Sequence, residues 1–154
     1  MSQSKSQSKS SLPFKVAYVA MVLGLATACA GAPKPDPVAM AAAQSQCEAL
    51  AVKYAQVVRD AGEATAKYGS ANSRRQELER LQYSLRNEMT RSGAPDVSRV
   101  AASALGAELA SAKAERASLE ARYGDDHPRT QTAAAGVYAL EQAISAELAP
   151  NKRA

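Results

Sequence analysis

The chain has 154 residues, 22% of them charged, and a formal charge of +4; this length allows one small domain. Three of the 19 basic residues, Lys5, Lys9 and Lys15, fall within residues 1–28, leaving 16 basic residues against 15 acidic with the signs interspersed. Nucleic-acid binding needs a clustered basic face, so it is excluded as a reading, and the lack of Trp, a single Phe and abundant Ala argue against a thick core.

Residues 1–28 read as a secretory signal. A lysine-bearing start leads into the apolar run Val16–Ala28, which closes on small residues. The run is too short for a spanning helix, which needs about 20 apolar residues. Leu25-Ala26-Thr27-Ala28-Cys29 resembles the lipobox of bacterial lipoproteins, with Ala26 where leucine is usual. The resemblance implies that Cys29 is acylated and becomes the new N-terminus. This covalent lipid is the one added group expected, with no cofactor or metal beside it. In that family an Asp after the cysteine commonly marks inner-membrane retention. Ala30 therefore implies the outer membrane, at its periplasmic face. Ordinary cleavage after Ala-Thr-Ala, giving a soluble secreted or periplasmic protein, is the alternative. An uncleaved anchor is a third reading.

Residues 29–37 form the tether, where Pro33, Pro35 and Pro37 favour extended backbone. A helical domain is expected over 38–149. The first helix, about 38–68, has Met40, Ala43, Cys47, Leu50, Tyr54, Val57, Ala61, Ala64 and Tyr68 in alternating steps of three and four, a heptad seam. Gly69 suits its C-terminal cap, and Ser70, Asn72 and Ser73 supply turn and N-cap chemistry. The second helix, about 73–91, carries Leu78, Leu81, Leu85 and Met89 beside a charged face. After Ser92-Gly93-Ala94-Pro95, Asp96 reads as the N-cap of a third helix, about 96–123, with Leu105, Leu109, Ala112, Leu119 and Tyr123 buried and Arg116 interrupting the stripe. A fourth helix, about 128–148, has Ala133, Val137, Leu140, Ile144 and Leu148 in 3–4 spacing; residues 150–154 are expected to fray. The fold class is all-α, with antiparallel helical hairpins forming a small bundle or an elongated coiled coil.

Cys47 lies on the first seam. With Cys29 lipidated it has no intramolecular partner, so the expectation is a packed thiol, with an intermolecular disulfide or a reactive thiol as alternatives. Ala66–Gln76 aligns with Ala121–Gln131 at an offset of 55, which also pairs Leu50 with Leu105 and Leu85 with Leu140. The match suggests two copies of a helix–turn–helix unit.

Tyr123-Gly124-Asp125-Asp126-His127-Pro128, between two apolar helical stripes, resembles the helix turn in periplasmic coiled coils of the polysaccharide chain-length determinant and co-polymerase families. The resemblance covers about residues 115–148, without those proteins' flanking membrane helices or a kinase-type phosphate loop. It implies hairpin geometry at Tyr123, Gly124, His127 and Pro128 and no activity.

Asp125, Asp126 and His127 are adjacent and His127 is the only histidine, so capping by Asp126 or His127 explains them better than a metal. No catalytic set is apparent, and Tyr54, Tyr68 and Tyr123 read as packing residues. The functional expectation is a non-enzymatic outer-membrane lipoprotein, a periplasmic scaffold that binds an envelope protein through a helix face and self-associates through its thin alanine seams. The alternatives are an accessory to surface-polysaccharide export or chain-length control, and a small metal-binding or enzymatic module.

Overall fold

The computed structural model describes residues 36–149. The leader, Cys29, most of the tether and the tail at 150–154 lie outside the described residues. The described residues form four helices: α1 (Pro37–Tyr68), α2 (Ser73–Arg91), α3 (Val97–Tyr123) and α4 (Pro128–Leu148). No strand occurs among them, and the fold is a small all-α bundle.

Local chemistry sets the helix ends. Asp36 accepts a hydrogen bond from the Val38 N–H at 2.9 Å, and Pro37 occupies the first helical turn, where its missing N–H costs nothing. Asp96 departs from expectation. It stands at the N-cap position of α3 in the left-handed conformation, φ 54°, and its carboxylate makes no capping bond. A capping side chain needs extended backbone at that residue; here the Asp96 carbonyl alone receives the Arg99 and Val100 N–H groups, at 2.9 and 3.1 Å.

The helices alternate in direction. Cys47 of α1 packs with Met89 of α2, while Ala61 and Ala64 pack with Leu78, so these two are antiparallel. Ala51 meets Ala101 and Ala55 meets Leu105, which makes α3 parallel to α1. The second hairpin brings α4 back down, with Val137 and Leu140 against Ala55 and Val58. The core is three small clusters stacked along α1, the one helix that packs against all three others.

This hub role corrects the simple heptad seam. The buried residues of α1 are Cys47, Ala51, Ala55, Val58, Ala61 and Ala64. Leu50, Tyr54 and Val57 are half-buried, and Met40 and Tyr68 are exposed. One narrow stripe serves one partner, whereas three partners require a wider face. Elsewhere Leu81, Tyr123 and Leu148 are exposed rather than seam residues, and Arg116 lies on the solvent side instead of breaking the stripe. Thr130 and Gly136 are buried on α4 without having been expected there.

Two guanidinium groups tie the bundle together. Arg59 of α1 donates to Glu63 at 2.8 Å, to Glu108 of α3 at 3.2 Å, and to Glu115 of α3. Burial alone would lower its pKa; the three carboxylates outweigh that and raise it, so Arg59 stays charged. Arg86 of α2 makes a two-pronged pair with Glu147 of α4, at 2.8 and 2.9 Å, and reaches Ser98 of α3 at 2.9 Å.

Candidate functional site

The up-down-up-down order puts both hairpin turns, 68–73 and 123–128, at one end of the bundle. The α2–α3 connection and the end of α4 lie toward the other, where α1 runs on past them to Asp36. The two turns are near-copies. Each helix ends on a tyrosine followed by a glycine, and the glycine N–H bonds back to Thr65 O at 2.9 Å or Glu120 O at 2.8 Å. Gly69 has φ 82° and ψ 169°; Gly124 has φ 81° and ψ 168°. Only glycine adopts this region without strain, which gives the Tyr-Gly step its physical reason.

Three residues after each glycine comes the N-cap, Asn72 with φ −72° and ψ 138°, or His127 with φ −70° and ψ 135°. Asn72 Oδ1 accepts the Arg74 N–H at 2.8 Å, and His127 Nδ1 accepts the Arg129 N–H at 3.2 Å. The cap carbonyls receive the Gln76 and Gln131 N–H groups in the same way. Capping falls to His127 and not to Asp126. Pro128 opens α4, where Ser73 opens α2. The same turn thus forms with Ser-Ala-Asn-Ser and with Asp-Asp-His-Pro, and the His-Pro pair is one of two ways to build it.

Both tyrosines face solvent, Tyr68 53% exposed and Tyr123 40%, which corrects their assignment to packing; only Tyr54 is half-buried. Lys67 lies 5.0 Å over the Tyr68 ring. The His127 ring stacks on Tyr123 with centroids 4.6 Å apart, and Arg122 and Arg129 each stand 5.9 Å from the same ring. Cation–π contacts at exposed sites contribute about 0.5–1 kcal/mol each. Each hairpin thus carries one exposed aromatic ring with a cation beside it.

The remaining sequence candidates do not join this surface. Cys47 is free and fully buried in the cluster of Ala51, Met89, Ala94 and Ala101. A disulfide to a second chain would require α1 and α2 to separate there. Among the described residues, no three His, Cys, Asp or Glu side chains are grouped to hold a metal ion. No described helix is long and apolar enough to cross a membrane. An open groove of about 470 Å³ runs between α2 and α4 over α1, with Tyr54, Gly62, Gln82 and Tyr138 in its lining. Sequence reasoning missed it, because it depends on α2 packing chiefly on α1 and leaving α4 apart. Comparison with protein-family models, curated proteins and solved structures gives no significant match.

Proposed function

We propose that this protein is a lipid-anchored helical scaffold of the bacterial cell envelope, and that it recognises an envelope protein through the end bearing the two Tyr-Gly turns. Support for the anchor comes from the leader and from Cys29 within Leu-Ala-Thr-Ala-Cys. Support for the binding end comes from direction. The chain enters the bundle at Asp36, at the end opposite Tyr68 and Tyr123. A tether from Cys29 therefore leaves the paired turns free to face away from the membrane. The single observation that carries the reading is that pairing: two turns of matching geometry at one end, each with an exposed aromatic ring and a cation beside it. Aromatic side chains with few rotatable bonds make good contact surfaces because little entropy is lost on binding.

Two measurements test it. The intact mass of protein extracted from membranes is expected to equal Cys29–Ala154 plus acyl chains, and an unmodified chain would remove the anchor. In crosslinking within the envelope, the Tyr68→Ala/Tyr123→Ala variant is expected to lose its protein partners while keeping its helical signal. Unchanged crosslinks would move the binding surface elsewhere.

The local resemblance around Tyr123–Pro128 favours one other reading, an accessory to polysaccharide export acting by helix contact. Deletion would then change the amount or chain length of surface polysaccharide, and an unchanged polymer would count against it.

A further inference from the structure

We infer that the start of α1 rests against the lipid surface that holds Cys29, with Val38 and Met40 as the contacting side chains; this rests on the anchored reading above. Both are apolar and open to solvent, 75% and 43% exposed. Both occupy the first turn of α1, which runs on beyond the end of α4: Gly62 lies against Gly136 and Ala139, so Leu148 is level with about Ala51. The opposite end has a different chemistry. Its large exposed hydrophobic residues are Tyr68 and Tyr123, each with a hydroxyl and a cation beside the ring.

The length of the tether selects the occupant. Seven residue steps separate Cys29 from Asp36, so this end can stand no more than about 25 Å from the acylated cysteine. Within that range the bilayer surface is present at high effective concentration, and contacts too weak to bind a membrane alone become populated. Charge plays a small part. Arg91 and Arg99 are exposed at this end, but Asp36, Glu48, Glu88 and Asp96 oppose them. Apolar side chains of this kind settle at the boundary of headgroups and acyl chains. The bundle is then held with its axis away from the surface, and the paired turns point outward.

The absence of Trp makes the test direct. Val38→Trp, Met40→Trp and, at the far end, Tyr123→Trp each introduce a unique fluorophore at an exposed position. The proteins, purified with their lipid, are placed in phosphatidylethanolamine–phosphatidylglycerol vesicles with or without brominated phosphatidylcholine. The expected result is emission at positions 38 and 40 shifted to the blue and quenched about twofold by brominated chains, as for side chains seated at the acyl boundary, with position 123 unaffected. If the protein floats with the vesicles but positions 38 and 40 emit as position 123 does, the contact is refuted and the anchor stands. If it neither floats nor carries acyl chains, the anchor is refuted and the contact with it. Blue emission that needs no lipid and fades on dilution would place a second copy of the chain over these residues and overturn the inference.

Discussion

Gly62 and Gly106 both lie inside helices, and the same substitution is expected to act on them with opposite sign. In an open helix Gly→Ala stabilises by about 0.8–1 kcal/mol, because glycine loses more backbone freedom on folding. Gly106 meets that condition, since a Cβ there would have nothing within 4 Å. At Gly62 a Cβ would stand 2.6 Å from Ala139 Cβ and 2.7 Å from Ala135 O. Neither atom can swing aside, because both are fixed to the α4 backbone. Restoring an ordinary contact of roughly 3.5–4 Å requires α4 to recede by about 1 Å. Overpacking of this kind costs about 1–3 kcal/mol, so after the helix gain Gly62→Ala is expected to be destabilising by up to about 2 kcal/mol. Gly106→Ala should gain somewhat less than 1 kcal/mol, its site being solvent-exposed. Urea unfolding followed by helical circular dichroism reads both, and unchanged slopes would show that only stability has moved. Gly136→Ala should fall between them, because its Cβ would meet the side chains of Glu63 and Arg59, which can shift. A Gly62→Ala protein as stable as Gly106→Ala would falsify the close approach of α1 and α4.

Three other side chains give separate expectations. Thr130 is 2% exposed and its hydroxyl has no hydrogen-bond partner, so Thr130→Val should raise stability by about 1 kcal/mol; a loss on thermal unfolding would mean that the hydroxyl is satisfied. His127→Asn should keep the turn, since Asn72 caps its counterpart, whereas His127→Ala should lose about 1 kcal/mol; equal melting temperatures for the two variants would show that the cap contributes nothing. Tyr54 has its pKa raised above 10.0, by burial first and then by Glu147, with Arg86 opposing. A raised acid favours the protonated fold, so its contribution is whole below pH 10 and is lost as pH climbs through the folded value. Stability should therefore decline in alkali, and Tyr54→Phe should flatten that decline. An identical alkaline profile for Tyr54→Phe would remove Tyr54 as the cause.

The helix bounds were legible because their signals are local. Tyr-Gly ends α1 and α3, Asn72 and His127 cap α2 and α4, and Pro128 marks a first turn; Pro37, expected in the tether, opens α1 instead. The expected 38–68, 73–91, 96–123 and 128–148 differ from the observed helices by one residue at two starts. The buried faces were less legible, because alanine suits a core and a surface alike. Nothing in the pattern of α1 says that three helices touch it. Of the Arg59 cluster, only Glu63 could be anticipated, four residues on. Glu108 and Glu115 join it because α3 runs parallel to α1, a long-range fact with no periodic trace. The paired turns were half visible. The 55-residue offset was readable, and the matching of their backbone angles now extends it to geometry. Leu78 and Ala133, Leu85 and Leu140 are buried at the same offset, and Tyr83 and Tyr138 are exposed. The exposure of Tyr68 and Tyr123 was not visible, since aromatic residues at helical spacing read as core.

The length of α1 has a consequence for reach. α1 spans 32 residues, about 48 Å at 1.5 Å per residue. From Cys47 to Ala64 its buried residues pack against the other helices. A longer body would need matching insertions in all four helices, because an insertion in one alone would slide its small core residues out of step. Each residue added between Cys29 and Asp36 instead lengthens the span to the paired turns by up to about 3.5 Å without shifting the register of the four helices. In an anchored chain, distance from the membrane is therefore set coarsely and rigidly by the bundle, and freely, one residue at a time, by the proline segment.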